Sequence, residues 1–342
     1  MIKQALYSYM PNRANLSLAV HICSIQQRKM PKPGDPRLGE LIQQGSAGRL
    51  VLLGFPFDEG VRRNGGRLGS KDGPDSVRKY ISGMGTLINP ELNVNLNTIS
   101  ISDAGNIRSD IKLEDAHQLL SSKVAELIGA GSIPFVIGGG NDQSYANARG
   151  LILQRSKSIG VVNIDAHFDV RPLEHGTVHS GTPFYQLLRD PEFINAAGKF
   201  VEFAAQGSQC SAEHAEFIRQ RNHRIMWLSE VKSAKKQAGM QTVFKNLLDS
   251  LGDDLFVSFD LDAVRGADAP GVSCSSCIGL SAQDALDICF VAGRHPNVRL
   301  FDLSEFNPAI EEYRTGRLVV MMFYHFALGL AQRELDLKQA SA

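Results

Sequence analysis

A parallel β-sheet covered by helices on both faces, a three-layer α/β/α fold, is what this sequence predicts, and three observations predict it. Short apolar runs rich in Val, Ile and Phe recur along the chain, longer amphipathic stretches separate most of them, and acidic, amide or imidazole residues stand directly after several runs. A strand buried on both faces reads as a continuous apolar run, and a helix is the usual connection between parallel neighbours. A length of 342 residues accommodates one such domain with a sizeable core.

Residues 1–45 read as an N-terminal arm laid on the domain. They form a polar lead-in whose Pro/Gly-rich stretch from Lys29 to Pro36 blocks regular structure ahead of a short helical segment. Residues 46–342 form the single domain. Apolar runs at 50–55, 98–102, 133–137, 160–164, 200–204, 224–228, 255–259 and 298–303 predict about eight strands. Helical periodicity is expected at 113–128, 212–221, 241–251, 282–292 and 317–334. There is no internal repeat and no low-complexity tract.

Composition narrows the partners. Thirty-six basic residues balance thirty-six acidic ones, so no net field draws the chain to nucleic acid or to an anionic membrane, and a small-molecule substrate is the expectation. The five cysteines, Cys23, Cys210, Cys274, Cys277 and Cys289, are too few and too irregularly spaced for a disulfide framework, which suits a reducing, cytoplasmic setting. No apolar run reaches the roughly 18 residues of a membrane span, and the first twenty residues lack the apolar core of a signal peptide.

In a parallel sheet the residues just beyond the C-terminal ends of the strands line the binding crevice. Four exits here are rich in ligating groups: Ile137-Gly-Gly-Gly-Asn-Asp-Gln143, Ile164-Asp-Ala-His-Phe-Asp169, Phe259-Asp-Leu-Asp262 and Leu303-Ser-Glu305. Asp165, His167 and Asp169 alternate after a strand, so a chain still extended there points all three side chains one way, and Asp260 and Asp262 repeat the pattern. Four carboxylates in one crevice resist joint ionisation unless a cation neutralises them. Oxygen-rich ligation with one imidazole favours Mn²⁺ or a similar octahedral ion over structural zinc. Read singly, each aspartate is a helix cap or loop residue; the repetition of the spacing at two exits argues against that.

The segments Asn163-Ile-Asp-Ala-His-Phe-Asp169, Ser258-Phe-Asp-Leu-Asp262 and Gly138-Gly-Gly140 resemble, in order and separation, the three metal-binding signatures of the arginase (ureohydrolase) family. The likeness spans residues 48–330. Asp58-Glu-Gly-Val-Arg-Arg-Asn64, Arg171-Pro172, Ser180-Gly-Thr-Pro-Phe184 and Ala269-Pro-Gly-Val-Ser273 are similar to the formimidoylglutamase branch rather than to arginase itself. The resemblance implies an arginase-like fold, a homo-oligomer and two Mn²⁺ per chain, with Asp165 and Asp260 as bridges. It gives Asp169 and position 141 to one site, and His167 and Asp262 to the other. It implies hydrolysis of N-formimidoyl-L-glutamate to L-glutamate and formamide, in histidine degradation. A hydroxide from a water shared by the ions adds to the formimidoyl carbon, Asp169 carries its proton to the leaving nitrogen, and Glu305 pairs with the cationic amidine. Glu305 also fits the plainer role of a loop-capping acid.

One position departs from the family pattern. Where most members have a ligating histidine, this chain has Asn141 followed by Asp142. An amide oxygen is a weaker donor than imidazole, so the site containing Asn141 is expected to hold its ion loosely, unless Asp142 substitutes. For the substrate's carboxylates the candidates are Arg62, Arg63, Asn64, Arg67 and Arg171, with Ser180, Gly181 and Thr182 adding neutral contacts. Any one of these arginines alone reads equally as a solvated surface charge. Two alternatives stay open: hydrolysis of another guanidino or amidino compound, as by an agmatinase or guanidinobutyrase, and a metal-poor, non-catalytic homologue. Cys274-Ser-Ser-Cys277 reads as a pair of thiols or, on oxidation, a disulfide, while His117, His214 and His325 read as packing or surface residues and His175 and His179 as neighbours of the substrate loop.

Overall fold

The computed structural model describes residues 20–21, 34–155 and 158–340. All eight expected strands are present: β1 (Leu50–Phe55), β2 (Ile101–Ile107), β3 (Ile133–Gly138), β4 (Ile159–Ile164), β5 (Lys199–Ala205), β6 (Arg224–Trp227), β7 (Asp254–Asp260) and β8 (Val298–Ser304). They lie in the order β2-β1-β3-β8-β7-β4-β5-β6 with every adjacent pair parallel. Two strands of two residues complete a ten-stranded sheet: Gln43–Gln44 runs parallel to β2, and Val20–His21 antiparallel to it.

Alternate strand residues feed two separate cores, as the pleat requires. Leu50 and Leu52 of β1 join a core with α1 (Gly73–Ile81), α5 (Leu228–Ala238), α6 (Met240–Asp249), α7 (Ala282–Arg294) and α8 (Tyr313–Ala340), while Val51 and Leu53 face α2 (Leu113–Gly129), α3 (Gln143–Gln154) and α4 (Ala212–Arg219). The result is the three-layer α/β/α arrangement. No helix among the described residues is long and apolar enough to cross a membrane.

Two departures from the expected elements have physical causes. The second strand starts at Ile101 rather than 98, because Leu96–Thr98 forms a 3₁₀ turn capped by the Asn95 side chain, which accepts from the Asn97 amide. It then continues through Asp103-Ala-Gly-Asn-Ile107, whose polar residues hide it from an apolar pattern. Asp103 tolerates full burial because Arg78 of α1 donates to both its oxygens, Nε at 2.8 Å and Nη2 at 2.9 Å. α1, α3 and α5 were not among the expected helices; α3 carries Gln143, Ser144 and Asn147 on a fully buried face, so it shows no apolar stripe.

Of the expected arm, the described part places Leu38 and Ile42 in the core and Gln43–Gln44 on the sheet. Most of the Pro/Gly-rich stretch, up to residue 33, and Cys23 lie outside the described residues.

Candidate metal centre

The four ligand-bearing exits belong to β3, β8, β7 and β4, which are consecutive strands at the middle of the sheet. Ile137 is paired with Leu303, Asp260 with Ser304 and Phe259 with Ile164, so the segments that follow leave the sheet at one level. Three strand spacings of about 4.8 Å therefore bring together residues more than 160 positions apart in the chain. A further tie joins the neighbouring exits of β3 and β8: the Glu305 amide donates to the Gly139 carbonyl at 2.7 Å. Gly139 itself has no room for a side chain against the Phe57 backbone.

The aspartates do converge, but not by alternation along extended strands. The chain bends at Ala166 and His167, the His167 amide donates to Asp165 Oδ1 at 2.7 Å, and Asp169 has φ 47°. Likewise Asp262 lies in the 3₁₀ turn Leu261–Ala263, with its amide donating to Asp260 Oδ1 at 2.9 Å. Short turns closed by an aspartate side chain replace the expected straight exits, because each carboxylate satisfies the amide two residues on. The left-handed backbone at Asp169 recurs at Glu305, where φ is 67°. Non-glycine residues rarely adopt that conformation, and it gathers at functional sites.

The outcome is two adjoining ligand sets. Oxygens of Asp165, Asp169 and Asp260 lie within 4.8 Å of one another, and so do the ligating atoms of His167, Asp262 and Cys274. His167 Nδ1 links the sets, at 3.3 Å from Asp165 Oδ1 and 3.2 Å from Asp262 Oδ2. Asp262 Oδ1 is buried with no hydrogen-bond partner among the described residues.

The protonation preferences describe a place that wants positive charge. Burial pushes the Asp169 carboxyl up to about 8, with the charge of Asp165 adding to it, and burial raises Asp262 to about 6. Asp260 and Glu305 are raised well above the usual carboxylate range, first by burial and then by the charge of Asp262. The charge of Asp262 in turn raises His167, and Asp165 stays low against its burial because His167 donates to it. Without a cation, protons and one imidazolium must neutralise the cluster; a pair of hard divalent ions does so with the donors already gathered. The residues fit such ions.

Asn141 sits at the edge of the first set, fully buried. Its Nδ2 donates to Asp169 Oδ2 at 2.8 Å, while its Oδ1 lies 2.9 Å from the hydroxyls of both Ser144 and Ser304. In this orientation the amide shows an N–H, not a lone pair, to the carboxylates. Acting as a ligand requires the amide to turn over, which Ser144 permits because its hydroxyl also reaches Asp302 Oδ2 at 2.9 Å and can donate there instead. Asp142 is engaged elsewhere: its Oδ2 pairs with His117 Nε2 at 2.8 Å, and its other oxygen abuts Gly60, where any side chain would collide. His117, expected to be a packing or surface residue, thus anchors the glycine-rich turn.

A cavity of about 300 Å³ opens above the two sets, lined among others by Asn64, Arg67, His167, Asp169, Arg171, Ser180, Asp262, Cys274 and Glu305. Arg67 spends its guanidinium on the carbonyls of Val272 and Ser273, at 2.7–3.0 Å, and so holds that loop. Arg62 and Arg63 lie outside these walls and pair with Glu59, Arg63 also with Glu114. Arg63 instead borders a larger open groove of about 1000 Å³ that contains none of the clustered ligands. Asn64 donates to Ser180 Oγ at 3.0 Å, and the Arg171 amide donates to the Gly181 carbonyl at 2.9 Å, so Asn64, Arg171 and the 180–182 loop form one wall. Thr182 and His179 point inward to brace that loop: Thr182 Oγ1 donates to the His179 carbonyl, and His179 Nδ1 accepts from the Gly181 amide.

Several participants went unseen in the sequence. Ser144 and Ser304, which orient Asn141, look like ordinary small polar residues. Asn163 Nδ2 contacts Asp165 Oδ2 at 3.2 Å and the buried Glu202 at 3.1 Å; it stands inside the aspartate motif, but Glu202 is on a different strand and carried no signal.

Comparison with known proteins agrees with this geometry. A formiminoglutamase from Trypanosoma cruzi, solved with Mn²⁺, is 47% identical and superposes with a TM-score of 0.83 over 87% of this chain and 99% of that one. The formimidoylglutamase of Rhodococcus jostii is 32% identical over 284 residues, 81% of this chain and 84% of its own length. That of Bacillus subtilis, at 19% identity and a TM-score of 0.79 over 94% of this chain and 99% of that one, shares the fold. The arginase family profile matches residues 48–329. On this match, and with the ligand sets at the four central strand exits, the chain belongs to the arginase family.

Proposed function

We propose that this chain is a Mn²⁺-dependent hydrolase that cleaves the linear amidine C–N bond of N-formimidoyl-L-glutamate, giving L-glutamate and formamide. The observation that carries the reading is the pair of adjoining ligand sets at the floor of a cavity whose wall includes Arg171, a guanidinium with no carboxylate partner among the described residues. Identity of 47% to the Mn²⁺-bound formiminoglutamase supports it. Asp165 and Asp260 would be shared by two ions, with Asp169 and position 141 completing one site and His167 and Asp262 the other. When bound, such a pair supplies hydroxide near neutrality by lowering the pKa of a water it shares. Asp169, beside the shared carboxylates, takes that water's proton and delivers it to the departing nitrogen. Glu305 faces the cavity from a left-handed backbone and presents its carboxylate to the cationic amidine.

Among the described residues Arg171 has no carboxylate within ion-pairing reach, only the Asn64 carbonyl oxygen at 3.4 Å. Arg171 and Asn64, with Ser180, are therefore the groups we assign to the substrate's glutamyl carboxylates; Arg63 and Arg67 act through the segments they tie, and Arg62 is an exposed partner of Glu59 within one helical turn. Losing one charge-assisted bidentate contact costs about 1.5–3 kcal/mol, or roughly 10–100-fold in affinity. Arg171→Ala should raise KM by that factor while kcat changes little. Steady-state kinetics on N-formimidoyl-L-glutamate, arginine and agmatine test both points. Preference for arginine or agmatine, or release of ammonia with N-formylglutamate, would remove the substrate assignment.

Asn141 sets the expected metal dependence. The first ion to be lost when free Mn²⁺ is scarce should be the one beside Asn141 and Asp169, so activity rises with added Mn²⁺. Asn141→His supplies an imidazole donor and should tighten that site by about 10–100-fold if Ser144 or Ser304 orients the ring. Titrating metal content and activity together checks this; an unchanged Mn²⁺ requirement means position 141 is not a ligand. We place the activity in residues 46–342 with 1–45 as an arm, in a homo-oligomer that light scattering on the purified chain will reveal. A cytoplasmic location suits the exposed free thiols of Cys274 and Cys277.

A further inference from the structure

Cys274 stands where the proposed reaction has no use for it. Its thiol shares a 4.8 Å cluster with His167 and Asp262, at the wall of the cavity rather than behind it. Asp262 is only 3% exposed, yet among the described residues its Oδ1 has no hydrogen-bond partner, which leaves a buried acceptor open to a cation at this point. The loop carrying the thiol is held on both sides: Arg67 donates to the carbonyls of Val272 and Ser273, and Ser276 Oγ donates to Gln206 Oε1 at 2.9 Å. The neighbouring Cys277 is also a free, exposed thiol but belongs to neither ligand set.

A thiol added to the imidazole and carboxylates of this half makes the donor set softer than Mn²⁺ favours. Thiolate selects softer ions, and mixed nitrogen, oxygen and sulfur ligation is ordinary zinc chemistry. We propose that Cys274 is a further protein donor to the ion held by His167 and Asp262 beside the shared Asp165 and Asp260, so that the thiol widens this half's preference for Zn²⁺ over Mn²⁺ beyond what its nitrogen and oxygen donors give. The inference rests on the metal-centre reading above. On binding, the thiol gives its proton to solvent and one sulfur–metal bond forms, with no change of oxidation state. The thiolate then fills a coordination place that water or substrate would use, so the Zn²⁺-loaded protein should turn over slowly.

Titration of the full-length, metal-free protein with Co²⁺, a spectroscopically visible stand-in for Zn²⁺, tests this directly. A near-ultraviolet sulfur-to-cobalt charge-transfer band is expected in the wild type and in Cys277→Ser, and should vanish in Cys274→Ser. In competition measurements Cys274→Ser should weaken Zn²⁺ by about tenfold or more and Mn²⁺ by less than about threefold. Co²⁺ binding without a sulfur band, or a band that persists in Cys274→Ser, overturns the proposal and leaves the Mn²⁺ reading standing. Failure of the wild type to bind either Co²⁺ or Mn²⁺ removes both.

Discussion

Asp260→Ala is expected to empty both metal sites at once and to lower turnover by about three orders of magnitude or more. The reasoning is geometric. Asp260 belongs to the same oxygen cluster as Asp165 and Asp169 and is joined through its side chain to the Asp262 amide, so its removal takes a ligand from one set and unfastens the turn that presents the other. Charge stabilisation by bound ions contributes several kcal/mol, and each 1.4 kcal/mol is tenfold in rate, which gives a loss of about 10³-fold or beyond. Burial and the neighbouring charge of Asp262 hold Asp260 well above the usual carboxylate range, so alanine also relieves repulsion; the folded state should survive. Elemental analysis of the purified variant decides the matter: a full Mn²⁺ complement in Asp260→Ala means that the carboxylate is not shared.

Asp169→Asn should cost about 10²–10⁴ in kcat with little effect on KM, the range for loss of a positioned proton carrier. The substitution keeps the shape and removes the capacity to take and give a proton. Asp169 is partly exposed to the cavity and accepts from Asn141 Nδ2, so an amide there also faces an N–H head on unless one of the two amides turns. Metal content must therefore be measured beside the rate. A variant that keeps at least the ion of the His167 and Asp262 set, yet loses kcat, supports the proton-carrying role; near-normal kcat in Asp169→Asn rejects it.

The eight apolar runs, the four ligand-rich exits and the identities of Asp165, His167, Asp169, Asp260, Asp262 and Glu305 were all legible in the chain, because each depends on residues adjacent in sequence. β2 was legible only in part, since Asp103 and Asn106 look exposed until Arg78 is seen beside them. The shape of the exits was misread for a related reason. Alternation was a fair local rule, but the aspartate side chains compete for the backbone and fold Asp165–His167 and Asp260–Asp262 into turns.

By itself, then, the sequence determined the layered fold and the run of acidic and imidazole donors at the strand exits, which are periodic or local properties, while the departure at Asn141 was legible only through the family resemblance. Only the tertiary structure decided which donors meet. The order β3-β8-β7-β4 places the four exits next to one another, and no local pattern encodes which strands become neighbours. It likewise separated the arginines, committing Arg62 and Arg63 to Glu59 and Arg67 to the 272–273 carbonyls while leaving Arg171 facing the cavity. Direction and partner choice are set by packing across the whole domain, and that is why Ser144, Ser304, Glu202 and Cys274 acquire their places only once the sheet has assembled.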